Sequence, residues 1–186
     1  MALVKQAFEF LVSNSAFVTA WTAIAALFVS LLSIILTCLS LWMQRTHNRK
    51  AVLPIGHIVV GDYEDDIFVR LRNDGVGPLI LENVTVFRNG SRKNTKTALI
   101  DFMPELPGGY AWTTFVRGVN GRALSPDGQI TLIELKGEPS YEDFDSSKVI
   151  VRRELSTLCI EISYRNIYGD KMPIISRRLD WFGRSE

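Results

Sequence analysis

The stretch Phe17 to Met43, FVTAWTAIAALFVSLLSIILTCLSLWM, contains no charged residue. A helix rises about 1.5 Å per residue and a bilayer's hydrocarbon core is about 30 Å thick, so roughly 20 apolar residues cross it. This run is longer and can span with tilt. Trp21 and Trp42 stand towards its two ends, where indole rings favour the interface, and QRTHNRK closes it with a polar, basic stop. A buried helix of this length in a soluble domain would keep a polar face. Residues 16–43 are therefore read as a transmembrane helix. A cleaved signal peptide is not expected, because such peptides have apolar cores of roughly 7–15 residues.

Within the run, Thr19, Ala23, Ala26, Ser30, Ser33, Thr37 and Ser40 recur at alternating spacings of four and three. From Leu27 to Met43 every Ser or Thr lies on this stripe. Helices associate in lipid by close packing of small residues and by hydroxyl hydrogen bonds, and a period near 3.5 favours a left-handed crossing. The stripe predicts a self-associating anchor and a homo-oligomer. In the competing reading, the hydroxyls bond back to carbonyls of their own helix.

Arg45, Arg49 and Lys50 follow the span, while only Lys5 and Glu9 precede it. Positive flanks stay in the cytoplasm. The expected topology is single-pass in a bacterial inner membrane with the carboxy-terminal domain cytoplasmic. Residues 1–15 place Leu3, Val4, Ala7, Phe8 and Leu11 on one helical face, opposite Lys5, Gln6 and Glu9. They are too short to span and read as an amphipathic interfacial helix, or as the start of one long helix with the span. Residues 44–51 read as a basic juxtamembrane linker.

Residues 52–186 are enough for one domain with its own core. They carry 17 basic and 19 acidic residues, a balance that does not favour electrostatic capture of nucleic acid. Cys38 lies in the span and Cys159 in the domain, so no disulfide framework is expected.

Beyond Val52 the hydrophobic period becomes two. Ile67, Val69 and Leu71 alternate with Phe68, Arg70 and Arg72, and Leu158, Ile160, Ile162 and Tyr164 with Cys159, Glu161 and Ser163. Leu79 to Phe87 is a strand, and Asn89-Gly90 is a hairpin signal. Lys96 to Phe102, Ala111 to Val116, Gln129 to Lys136 and Met172 to Phe182 read as further strands. Ser147 to Leu155 fits a helix or a strand. Short strands with frequent turns predict a mainly β fold, an immunoglobulin-like β-sandwich or alternatively a small β-barrel.

No enzymatic constellation emerges. His57 is the domain's one histidine, Cys159 has no histidine partner, and CxxC, HExxH and phosphate-loop motifs are absent. No catalytic residue, cofactor or metal is assigned. Two acidic segments combine carboxylates with aromatics, and Tyr63, Asp65, Asp66, Tyr141 and Phe144 are candidate partner-binding residues there. Arg88, Arg92, Lys93 and Lys96 crowd one hairpin and are candidate anion-binding residues for lipid, a nucleotide or RNA. Solvated loops and edge-strand cations are the plainer reading of both groups.

The segment Val69-Arg70-Leu71-Arg72-Asn73-Asp74-Gly75-Val76-Gly77-Pro78-Leu79-Ile80-Leu81, followed by a strand and Asn89-Gly90, resembles one found in small bacterial proteins with an amino-terminal membrane helix and an immunoglobulin-like sandwich. The layout is similar to transmembrane effectors of antiphage defence, retron-associated or linked to cyclic-nucleotide signalling. That resemblance implies a non-enzymatic protein whose β domain senses a regulatory protein, a ribonucleoprotein or a nucleotide and lets the anchors assemble, permeabilising the membrane in abortive infection. It transfers no functional residue. A passive tether that recruits a cytoplasmic protein is the alternative.

Overall fold

The computed structural model describes residues 2–13, 15–137 and 142–185. It divides into two compact units, Met1–Asn48 and Arg49–Glu186. The first holds α1 (Ala2–Ser13) and most of α2 (Ser15–Ala51). Leu27, Phe28 and Trp42 on α2 are about 70% exposed, at 72%, 69% and 69%. By length and composition α2 is able to cross a membrane. The basic segment 44–51, expected as a linker, is helical throughout. It has no Gly or Pro to break the helix, and Arg49 and Lys50 in the last turn complement the negative end of the dipole. The Ser13-Asn14-Ser15 stretch offers a cap for the span, and its Asn14 lies outside the described residues.

In the second unit the strands are β1 (Gly56–Asp62), β2 (Asp66–Asn73), β3 (Leu79–Arg88), β4 (Ser91–Lys96), β5 (Thr114–Phe115), β6 (Ala123–Leu124), β7 (Gln129–Lys136), β8 (Leu158–Arg165) and β9 (Ile175–Arg178). One helix, α3 (Glu142–Ser156), lies between β7 and β8 in the chain. The strands form two antiparallel sheets, in the orders β1-β2-β7-β5 and β4-β3-β8-β9, with β6 on the same edge of β3 as β4. Neither sheet closes into a barrel. The alternation read from the sequence sets the inner faces: Ile67, Val69 and Leu71 from one sheet and Leu158, Ile160 and Ile162 from the other are at most 1% exposed and join one core.

Three expected strands are shorter or different. After β4 the chain forms a 3-10 turn at Leu99–Phe102, so Lys96 to Phe102 is not a strand. Ala98 and Leu99 are both buried where the chain leaves the strand and enters this turn. In the 111–116 segment the strand is Thr114–Phe115, with the flanking Thr113 and Val116 amides also bonded to Glu134 and Leu132 of β7. The last segment pairs over Ile175–Arg178 and then turns into a 3-10 helix, Asp180–Ser185, whose Phe182 is buried in the core. The ambiguous segment 147–155 is helical: Phe144, Val151 and Leu155 of α3 are fully buried along one helical face.

Two buried asparagines build the loops at one end of the domain. Asn73, 0% exposed, accepts from the amides of Ile55 (3.2 Å) and Gly75 (3.1 Å) and donates to the carbonyls of Gly77 (2.8 Å), Leu124 (3.2 Å) and Ser125 (3.1 Å). Two backbone bonds join the same loop to the connector after α2, from Asp74 N to Ile55 O (2.8 Å) and from Gly77 N to Leu53 O (3.4 Å). A side chain at Gly75 or Gly77 would run into the connector's backbone. Asn166, 1% exposed, holds the turn after β8 in the same way. Its Oδ1 accepts from the amides of Tyr168 and Asp170, both at 2.9 Å.

Candidate functional site

The stripe residues Thr19, Ala23, Ala26, Ser30, Ser33, Thr37 and Ser40 all lie on α2 and are exposed. Four of the hydroxyls bond back to their own helix: Thr19 to Ser15 O (2.7 Å), Ser30 to Ala26 O, Ser33 to Val29 O and Thr37 to Ser33 O (2.8 Å each). Their donors are thus satisfied within one helix, while their oxygens can still accept and their small size still permits close approach.

The basic hairpin comes together only in part. Arg88, Lys93 and Lys96 line one cleft of about 520 Å³ with Asp101 and Phe102. Arg88 is held in place there, donating to Thr157 Oγ1 (2.9 Å) and Glu154 Oε2 (3.2 Å) with its guanidinium 5.8 Å from the Phe102 ring. Lys93 and Lys96 form no ion pair among the described residues. Arg92 does not join them. It pairs with Glu161 on β8 and lies 4.9 Å from the Phe87 ring, and the β3–β4 pairing shifts register between Val86 and Arg88.

The first acidic segment is partly used within the fold, through Asp62 and Asp66. Tyr63, 63% exposed, stacks at 6.1 Å on Phe68, and Asp65 is exposed. Asp66 turns inward to Arg70 (3.5 Å), which also pairs with Glu134. Burial, and next the nearby Glu134 carboxylate, raise the Asp66 pKa above its usual value. Beside them Asp62 accepts two hydrogen bonds from Arg152, and Lys148 lies 3.6 Å away, donating to the carbonyls of Tyr63 and Glu64. The hydrogen bonds to Asp62, foremost, raise the Arg152 pKa above its usual value. Phe144 is 0% exposed and belongs to the core, so it offers no surface to a partner. Tyr141 lies outside the described residues.

The sequence reading missed Arg117. It lines two clefts, one of about 430 Å³ with Met103, Glu105, Leu106, Tyr110 and Trp112, and one of about 370 Å³ with Asn83, Thr97 and Asn120. Neither Arg117 nor Glu105 forms an ion pair among the described residues. Both clefts are open to solvent and present polar and apolar groups in similar measure. No local motif announces them, since their residues meet only through the fold.

His57 Nδ1 is 3.4 Å from Asp74 Oδ2, and Arg72 bonds the other Asp74 oxygen; that bond, foremost, lowers the Asp74 pKa. Cys159 is buried, its sulfur 3.8 Å from Ser176 Oγ. Among the described residues no three His, Cys, Asp or Glu side chains gather as a metal site.

The fold and its clefts define a class: a β domain of two antiparallel sheets carried on one helix long and apolar enough to cross a bilayer. No protein-family model and no curated protein matches the chain.

Proposed function

We propose that this is a non-enzymatic protein of a bacterial inner membrane, spanning once through α2, with a cytoplasmic immunoglobulin-like sandwich that senses a ligand or partner and controls self-association of the anchor. The observation that carries this reading is the connector. Between Ala51 and Gly56 the chain is pinned to the β2–β3 loop through Asn73, Asp74 and Gly77, so a rearrangement at that loop acts directly on the chain leaving α2. The clefts at Arg117 and at Arg88 are where a ligand would enter: an apolar monoanion in the first, a phosphate-bearing group in the second. The resemblance in layout to antiphage effectors extends the reading to membrane permeabilisation in abortive infection.

The back-bonded hydroxyls of Ser30, Ser33 and Thr37 favour a second reading, a passive tether that recruits a cytoplasmic protein, since their donors need no second helix. Replacing Ser30, Ser33 and Thr37 together by Leu separates the two. A sensor-effector gives crosslinked oligomers and loss of membrane potential on induction in the native form, and neither in the triple variant. Solitary native subunits that leave the potential intact would overturn it in favour of the tether.

A further inference from the structure

Five large apolar side chains of the β domain lie exposed near the point where the chain leaves α2: Ile55 (58%), Val76 (67%), Ile167 (48%), Tyr168 (44%) and Ile174 (64%). Their proximity follows from contacts within the second unit. The loop carrying Val76 is bonded to Leu53 and Ile55. The Tyr168 ring lies 5.2 Å from the Arg49 guanidinium. Ile175, next to Ile174, packs its side chain against Gly56, next to Ile55. Two of the carrying loops are built on the buried side chains of Asn73 and Asn166, so the apolar tips are held on ordered backbone.

Scattered exposed apolar residues are ordinary, whereas several gathered on ordered loops at one end of a domain mark an interaction surface. The covalent path indicates the partner. Eight helical residues, 44–51, separate the end of the apolar run from the connector. At about 1.5 Å each they rise about 12 Å, against a headgroup layer of about 5–8 Å per leaflet. Any tilt of α2 shortens that gap. Arg49, Lys50 and Lys171 flank the apolar tips with positive charge, which suits an anionic leaflet.

We infer that Ile55, Val76, Ile167, Tyr168 and Ile174 form a membrane-docking rim that seats the β domain on the headgroup layer of the bilayer its own helix crosses. The inference rests on the proposed membrane span of α2. Seating makes the rim a second attachment besides the helix, and it turns the opposite end of the domain, with the Asn89-Gly90 hairpin, away from lipid. β3 connects the two ends, its ten residues reaching about 30 Å.

The test uses the full chain in nanodiscs of phosphatidylethanolamine and phosphatidylglycerol, in a C38A/C159A background, with an environment-sensitive fluorophore at Val76→Cys, Asn94→Cys or Leu32→Cys. Quenching by lipids with a shallow or deep nitroxide reads the depth of each label. The rim predicts blue-shifted emission and at least twofold shallow quenching at Val76→Cys, none at Asn94→Cys, and deep quenching at Leu32→Cys. Deep quenching at Leu32→Cys with a Val76→Cys label as wet as the Asn94→Cys label would overturn the rim and leave the span standing. A Val76→Cys label shielded from water yet untouched by lipid nitroxides would assign the face to a second copy, against this inference. An unquenched Leu32→Cys label would sink the span itself, and the rim with it.

Discussion

Arg152 on α3 grips Asp62 at the end of β1 through two hydrogen bonds, Nε to Oδ2 at 2.7 Å and Nη2 to Oδ1 at 2.8 Å. The Asp62 side chain is 5% exposed, and that of Lys148, also 5% exposed, stands 3.6 Å away. The helix is thereby tied to the β1–β2 hairpin by charge as well as by its apolar face.

Removing one partner of such a group leaves the other buried and uncompensated. Arg152→Ala is expected to destabilise the domain by about 2–3 kcal/mol, and Asp62→Asn by somewhat more, since it leaves the buried Lys148 ammonium without a carboxylate. Arg152→Lys should recover little, because an ammonium cannot reproduce the paired geometry. Thermal melts of the three variants check this order.

Asn73 satisfies five backbone groups from three segments. Asn73→Ala orphans them, and with each orphan worth about 1–3 kcal/mol and partial relief by water, a net loss of about 3–5 kcal/mol is expected. Gly77→Ala pushes a Cβ into the Val52 carbonyl and should act through the same connector. Hydrogen exchange gives the specific sign. The Ile55 and Gly75 amides, which Asn73 Oδ1 accepts, should exchange faster in both variants, while amides at the β3–β8 centre keep their rank.

Asp66 has a pKa raised above 3.8 in the folded state, first by burial. The folded state therefore holds that proton more tightly than the unfolded state, and this site's contribution to stability falls as pH rises through the raised value. Asp66→Asn, which carries no charge, should melt higher than the native protein at neutral pH. The gap should close as the pH falls towards 3.8. A gap that widens on acidification would contradict the assignment.

Phe144 and Tyr63, both candidates for partner contact from sequence, should part company. Phe144→Ala empties a fully buried site and is expected to cost about 3–5 kcal/mol. Tyr63→Ala removes an exposed ring stacked on Phe68 and should cost about 1 kcal/mol or less. Denaturant melts compare the two directly.

The long helix was legible from its uncharged length, and strands β2 and β8 from the alternation over Ile67–Arg72 and Leu158–Tyr164. Burial is less regular than that alternation: Phe68 and Cys159 are buried as well, β3 shifts register between Leu81 and Asn83, and Leu132 to Leu135 of β7 are buried in a row. Helix α3 was ambiguous because KVIVRREL suits either backbone. Extending the window back to Phe144 reveals Phe144, Val151 and Leu155 at helical spacing, the signal that would have placed Phe144 in the core. The basic hairpin was legible as a cluster, but which of its side chains share a face depends on register, so Arg92 was misplaced. Arg117 and the long-range role of Asn73 were not legible. Asn73 reaches Ser125, 52 positions away, and a lone Arg or Asn in a loop looks the same whether it is solvated or central; Asn166 binds only within four residues, a local turn.

Each sheet edge among the described residues is poorly suited to extend onto another molecule. β4 is six polar residues, all exposed and two of them Lys; β5 has two residues and β9 four. At β1 the Arg177 guanidinium occupies the Ile58 carbonyl that a neighbouring chain would need. Chains concentrated side by side in a membrane are at risk of fusing through their strands into fibrils. On the proposed reading, in which copies meet through their helices in a membrane, the exposed polar and short edges leave that route blunted.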